Sequence, residues 1–110
     1  MQMNVVKEGT FTRVSVEGRL DAVTSKDFED RVVQIIDQGE KFFLFDFVAL
    51  DYISSAGLRA LLTAKKKLGG SGGQIVLSGM KKPVQEVVEI AGFTPLFVIA
   101  ASTEEARKQF

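Results

Sequence analysis

The run "KFFLFDFVAL", residues 41–50, constrains the fold more than any other stretch of this chain. It is nearly continuously apolar and does not alternate, so a strand made from it must hide both of its faces. Such a strand belongs in the middle of a sheet, and the cover on a mainly parallel sheet is helical. Its neighbours carry the matching signals. In "MNVVKEGTFTRVSVEG", Thr12, Val14 and Val16 alternate with Arg13, Ser15 and Glu17, the period of a half-buried strand, and Glu8 and Gly9 supply the turn of a hairpin. After "GRLDAV" a helix capped by Thr24 or Ser25 is expected to run to about Gln38. Its apolar stripe is Phe28, Val32, Ile35 and Ile36, with Gly39 at the exit.

A second helix is expected from about Ser55 to Leu68, with Leu58, Leu61, Leu62 and Leu68 inward, followed by a strand in "GQIVLSG". Pro83 suits a first helical position, and Val84, Val87, Val88 and Ala91 follow at helical spacing up to Gly92. "LFVIA" reads as a last strand, and Ser102-x-x-Glu105 as the capping box of a short terminal helix. The expected order is ββαβαβαβα: one α/β domain over residues 1–110, with a mixed, mostly parallel sheet of about five strands and about four helices. In such sheets functional groups gather at the carboxyl ends of the strands, where "LDYISSAGLRALL", residues 50–62, falls.

Composition excludes several functions. Fourteen basic residues balance fourteen acidic ones, so there is no net field to draw nucleic acid or anionic lipid. Without cysteine there is neither disulfide framework nor thiolate chemistry. The amino-terminal residues lack the pattern of a signal peptide, and no apolar run reaches membrane-spanning length; a soluble cytoplasmic domain is expected. "GGSGG", residues 69–73, follows a helix and lacks the Lys-Ser/Thr pair of a phosphate loop, so it reads as a helix exit. The lysines of "AKKKL" complement the negative end of a helix dipole. Asp21, Asp46 and Asp51 could meet at one sheet edge, but nothing in their spacing fixes a metal cage, so no metal or other cofactor is expected.

Ser54 and Ser55 are the residues that need a purpose. A nucleophilic serine needs a base, and the chain has no histidine; the lysines of the same helix lie towards its far end. Two readings remain. A serine here is a good helix N-cap, and a helix start also accommodates an anion, so a phosphate on one hydroxyl would change the surface without harming the fold. Spacing alone favours the cap.

The stretch "LFDFVALDYISSAGLRALL" resembles the signature of STAS domains, the family of bacterial anti-sigma factor antagonists. The likeness extends to "VEGRLDAVTS", similar to the family's Gly-x-Leu-Asp element, and to "LGGSGGQIVLSGMKKPVQEVVEIAGF". It implies a STAS fold and a phosphorylatable serine two residues before the glycine, which is Ser55 before Gly57. It implies acidic residues near that serine at Asp21 and Asp46. A partner is expected to dock around Ser54, Ser55 and Arg59, with Ala56, Gly57 and Leu58, because this strand end and helix start are the least explained by core packing. The resemblance also implies partner switching without catalysis by the domain itself. The unmodified serine form captures an anti-sigma factor that is a serine kinase of the GHKL type, and sigma factor is released. That kinase then phosphorylates the serine, and a PP2C-type phosphatase restores it. One departure stands out: the family's usual aspartate before the acceptor is Ser54 here, which removes a carboxylate and adds a second hydroxyl. The alternatives are a constitutive STAS docking subunit, for example of a lipid-transport ABC ATPase, and a small-ligand binder. A response-regulator receiver is disfavoured because "MNVVKEGTF" has no acidic pair after a first strand.

Overall fold

A computed structural model describes residues 1–110. Strands β1 (Gln2–Glu8) and β2 (Phe11–Leu20) form the antiparallel hairpin, with Gly9 at φ +62° in its turn. Then come α1 (Thr24–Asp37), β3 (Phe42–Asp46), β4 (Leu50–Ile53), α2 (Ser55–Leu68), β5 (Gln74–Ser78), α3 (Lys82–Ile90), a 3₁₀ turn at Thr94–Leu96, β6 (Val98–Ala100) and α4 (Thr103–Arg107). The sheet runs β1-β2-β3-β5-β6, every pairing after the hairpin is parallel, and β4 adds to β2 beside β3.

The sheet therefore has six strands rather than about five, and the order is ββαββαβαβα. The apolar run is not one strand. β3 stops at Asp46, whose Oδ1 accepts the Val48 amide at 3.1 Å, and the Leu50 amide donates to the Phe47 carbonyl at 3.0 Å. This turn restarts the chain as β4. Long β2 serves both partners: residues 12–15 pair with β3, and residues 18–20 with β4, with a register shift between Gly18 and Arg19.

Alternation along the strands makes two cores. Val14, Val16, Phe43, Phe45, Phe47, Ile75 and Leu77 face α1, α2 and α3 and meet Phe28, Val32, Leu58, Leu61, Val84 and Val88. Phe43, Phe45 and Phe47 stack in sequence with centroids 6.0 Å apart, and Phe28 tilts against Phe45 at 5.6 Å. On the opposite face Phe11, Leu44, Val76 and Ala100 lie beneath Ala106 of α4, and Phe110 stacks on Phe11 at 4.6 Å. Burying apolar area at roughly 25 cal/mol per Å² makes the larger core the main source of stability. It also fixes the place of α2.

Helix boundaries follow their caps, with some changes from expectation. α1 is not capped by Thr24 or Ser25; Asp21 Oδ1 accepts the amides of Val23 at 3.0 Å and Thr24 at 2.9 Å, while Ser25 is turned inward and buried. Pro83 is the second residue of α3, Ala91 is its exposed C-cap, and the last strand begins at Val98 rather than Leu96. At α4, Ser102 Oγ accepts the Glu105 amide at 3.1 Å, but the Glu105 carboxylate reaches back to the Ala101 amide rather than that of Ser102. No helix is long and apolar enough to cross a membrane.

Candidate functional site

The site begins with the junction of β4 and α2. Ser54 is the N-cap of α2: its backbone is extended, with φ −96° and ψ 176°, and its Oγ accepts the Gly57 amide at 3.3 Å. The Ser54 amide donates to the Leu20 carbonyl at 2.8 Å, so the cap is tied to the end of β2. Ser55 is the first helical residue. It is exposed, and its hydroxyl makes no hydrogen bond, whereas Ser54 is half-buried with its hydroxyl engaged. The two adjacent serines thus occupy different environments: one closes the helix, the other faces solvent at its positive end.

Gly57 has a reason that its sequence neighbourhood hides. A Cβ there would lie 2.7 Å from Ile53 Cγ1, 3.1 Å from Leu20 Cβ and 3.2 Å from the Leu20 carbonyl oxygen. The glycine lets the first turn of α2 approach the end of β2 directly. Gly57 and Leu58 are buried and form the underside of the site, while Ala56 is half-buried and Arg59 exposed. Arg59 makes no ion pair.

Asp21 directly follows the residue that holds Ser54, so its loop borders the start of α2. The Asp21 amide donates to Thr24 Oγ1 at 3.0 Å in exchange for the Thr24 amide bond to its carboxylate. The amide and hydroxyl of Thr24 chiefly hold the Asp21 carboxyl below its ordinary value; desolvation opposes them, and the amide of Val23 and the charge of Arg19 add smaller lowering effects. This aspartate is thus a pinned anion and not a free proton acceptor. Next to it Arg19 lies over the Tyr52 ring, 4.2 Å from its centroid, and Val23 is 82% exposed. The apolar and aromatic elements of this surface, Val23 and Tyr52, were not singled out from sequence. "LDYI" does not alternate, with only its end residues buried, so nothing local marks Tyr52, and its partner Arg19 becomes adjacent only through the β2 and β4 pairing.

The remaining aspartates do not converge with Asp21. Asp46 follows core-facing Phe45 and so turns to the other side of the sheet. There it lines an open cleft of about 480 Å³ with Gln2, Asn4, Ser15 and Glu17, and makes no hydrogen bond to either serine. Asp51 pairs with Lys81 on the surface. No three acidic, histidine or cysteine groups come together as a possible metal site.

Comparison with known proteins agrees with this architecture. The STAS domain family matches residues 2–106. BtrV of Bordetella bronchiseptica, named as a candidate anti-sigma factor antagonist, is 38% identical over 95 residues, covering 86% of this chain and 82% of its own length. Two solved structures show the same fold at low identity. A Thermotoga maritima protein, described as a candidate anti-sigma factor antagonist, superposes with a TM-score of 0.92 at 16% identity, covering 97% of this chain and 92% of that one. The Bacillus anti-sigma factor antagonist SpoIIAA in its unphosphorylated form gives a TM-score of 0.84 at 20% identity, covering 98% and 95%. With the family match spanning nearly every residue and the sheet, helices and serine-bearing helix start all in place, this chain belongs to the STAS domain family.

Proposed function

We propose that this protein is an anti-sigma factor antagonist that works in the cytoplasm as a binding switch and catalyses nothing itself. In its unmodified state it binds an anti-sigma factor that is also a GHKL-type serine kinase, and sigma factor is freed. Ser55 accepts the γ-phosphoryl group of ATP from that kinase, the complex breaks, and a PP2C-type phosphatase removes the phosphate. The observation that supports this reading best is the division of labour between the two serines: Ser54 carries the cap, and Ser55 holds an exposed, unengaged hydroxyl at the start of α2. A phosphate there meets the unpaired amides and positive end of the helix, so the domain stays folded. A partner surface matched to a neutral hydroxyl must instead accept about two negative charges. Roughly 1.4 kcal/mol of that cost weakens affinity tenfold.

The test is phosphate mapping with binding. Wild type, Ser54→Ala and Ser55→Ala proteins are incubated with ATP and the cognate GHKL-type kinase, and the product is mapped by mass spectrometry. Phosphate on Ser55 in the wild type and in Ser54→Ala, and none in Ser55→Ala, is the expected pattern. Phosphate on Ser54 refutes the assignment. Ser55→Asp is expected to lose the kinase and Ser55→Ala to retain it. Equal binding by Ser55→Asp and the wild type would instead mark a constitutively docked module.

A further inference from the structure

Arg59 lies four residues after Ser55 on α2, exposed like Ser55 and without a carboxylate partner. Residues four apart on a helix are neighbours on one face. Side chains on a helix lean towards its N-terminus, so a side chain as long as that of Arg59 has the reach to meet a group on Ser55. An anion N-terminal to a cation at this spacing is the better of the two orders. The first turn of α2 contains no acidic residue to compete for the guanidinium. A guanidinium also binds phosphate through two parallel N–H donors, which a lysine does not do.

We propose that Arg59 is the phosphate latch of this switch: free in the unmodified protein, it folds back onto the phosphate of modified Ser55. This rests on the reading of Ser55 as the acceptor and adds a second change to it. Phosphorylation then does two things to the docking face at once: it introduces a dianion and withdraws the cation one turn along. A partner that uses an acidic group to meet Arg59 loses that contact in the same event. Ser54 and the amides of the first turn hold the phosphate from the helix end, and Arg59 covers it from the side.

The test needs no kinase. Phosphoserine is placed at position 55 by genetically encoded incorporation into the full chain, in wild type, Arg59→Gln and Arg59→Lys backgrounds, alongside the unmodified protein. The Arg59 Nε–H resonance is followed by ¹H–¹⁵N NMR, and the second ionisation of the phosphate by ³¹P NMR across pH. In the phosphorylated wild type the Nε–H signal is expected to move downfield relative to the unmodified protein. The second ionisation constant is expected to be about twofold larger than in Arg59→Gln, with Arg59→Lys between them. An unmoved Nε–H signal, or equal ionisation constants in wild type and Arg59→Gln, overturns the latch. The wild-type resonance tests the latch by itself even if a variant folds poorly. Because the phosphate is built in, failure here leaves the acceptor assignment standing, and failure of that assignment is read separately from the kinase mapping.

Discussion

Replacing Gly57 by alanine sets two opposed effects against each other. Alanine is the better helix former by about 1 kcal/mol, which alone would stabilise α2. The added methyl, however, would sit 2.7 Å from Ile53 Cγ1 and 3.2 Å from the Leu20 carbonyl oxygen. Neither neighbour yields easily: Ile53 is 2% exposed in the larger core, and the Leu20 carbonyl is held by the Ser54 amide at 2.8 Å. Overpacking of this kind costs about 1–3 kcal/mol, and two fixed neighbours place it at the upper end. The net expectation is a loss of about 2 kcal/mol, or about 8 °C in Tm at about 4 °C per kcal/mol. Thermal unfolding followed by circular dichroism, with urea titration for the free energy, measures it. A double-mutant cycle adds specificity: in an Ile53→Ala background the penalty of Gly57→Ala should shrink, because the closest obstructing atom is gone. A Gly57→Ala protein as stable as wild type, or more so, would refute the close-approach argument and leave helix propensity as the governing effect.

Ser54→Ala removes the acceptor of the Gly57 amide, and urea unfolding should show a loss of about 0.5–1 kcal/mol, the low end for a cap because the bond is long at 3.3 Å. Ser55→Ala should stay within about 0.5 kcal/mol of wild type in the same assay, since the side chain is exposed and unengaged. Asp21 has a folded-state pKa below its ordinary 3.8, so its contribution is fully present above that value and is lost as pH falls through the lower folded pKa. Stability of Asp21→Asn measured from pH 6 down to about 2 should therefore fall less steeply below about pH 4 than that of the wild type. Identical acid limbs would show that the carboxylate is not what holds the start of α1.

Most of the fold was legible because its elements are strongly patterned. The alternation of Thr12, Val14 and Val16 and the stripe Phe28, Val32 and Ile35 each have one reading: Val14, Val16, Phe28 and Val32 lie in the larger core, Ile35 packs against it, and Thr12 is buried. β4 was not legible: four residues with only Leu50 and Ile53 buried give too short a pattern to separate from the apolar run before it. What separates them is the Asp46 side chain folding onto Val48, a local competition between side chain and strand. The cap of α1 was misplaced for a related reason. Asp21 reaches amides two and three residues ahead, so the caps suggested by Thr24 and Ser25 were not needed. At the site, sequence put the serines at a helix start but gave no packing reason for Gly57; the closest contacts of a side chain there include Leu20, on a distant strand. That relation, and the placement of Arg19 over Tyr52, exist only after β2 and β4 pair.

The tie between Ser54 and Leu20 limits how any enzyme can reach Ser55. The residue before Ser55 is bonded to the sheet, and the residue two after it is wedged against the same leucine. Ser55 therefore cannot be drawn out as an extended segment into a cleft without undoing the first turn of α2. An enzyme acting on it has to recognise a folded surface of curved shape, with the hydroxyl presented on a rigid mount. Under the proposed role of Ser55, a free peptide copying residues 50–62 should accordingly be a poor substrate for the kinase even at high concentration, because it lacks the mount rather than the sequence.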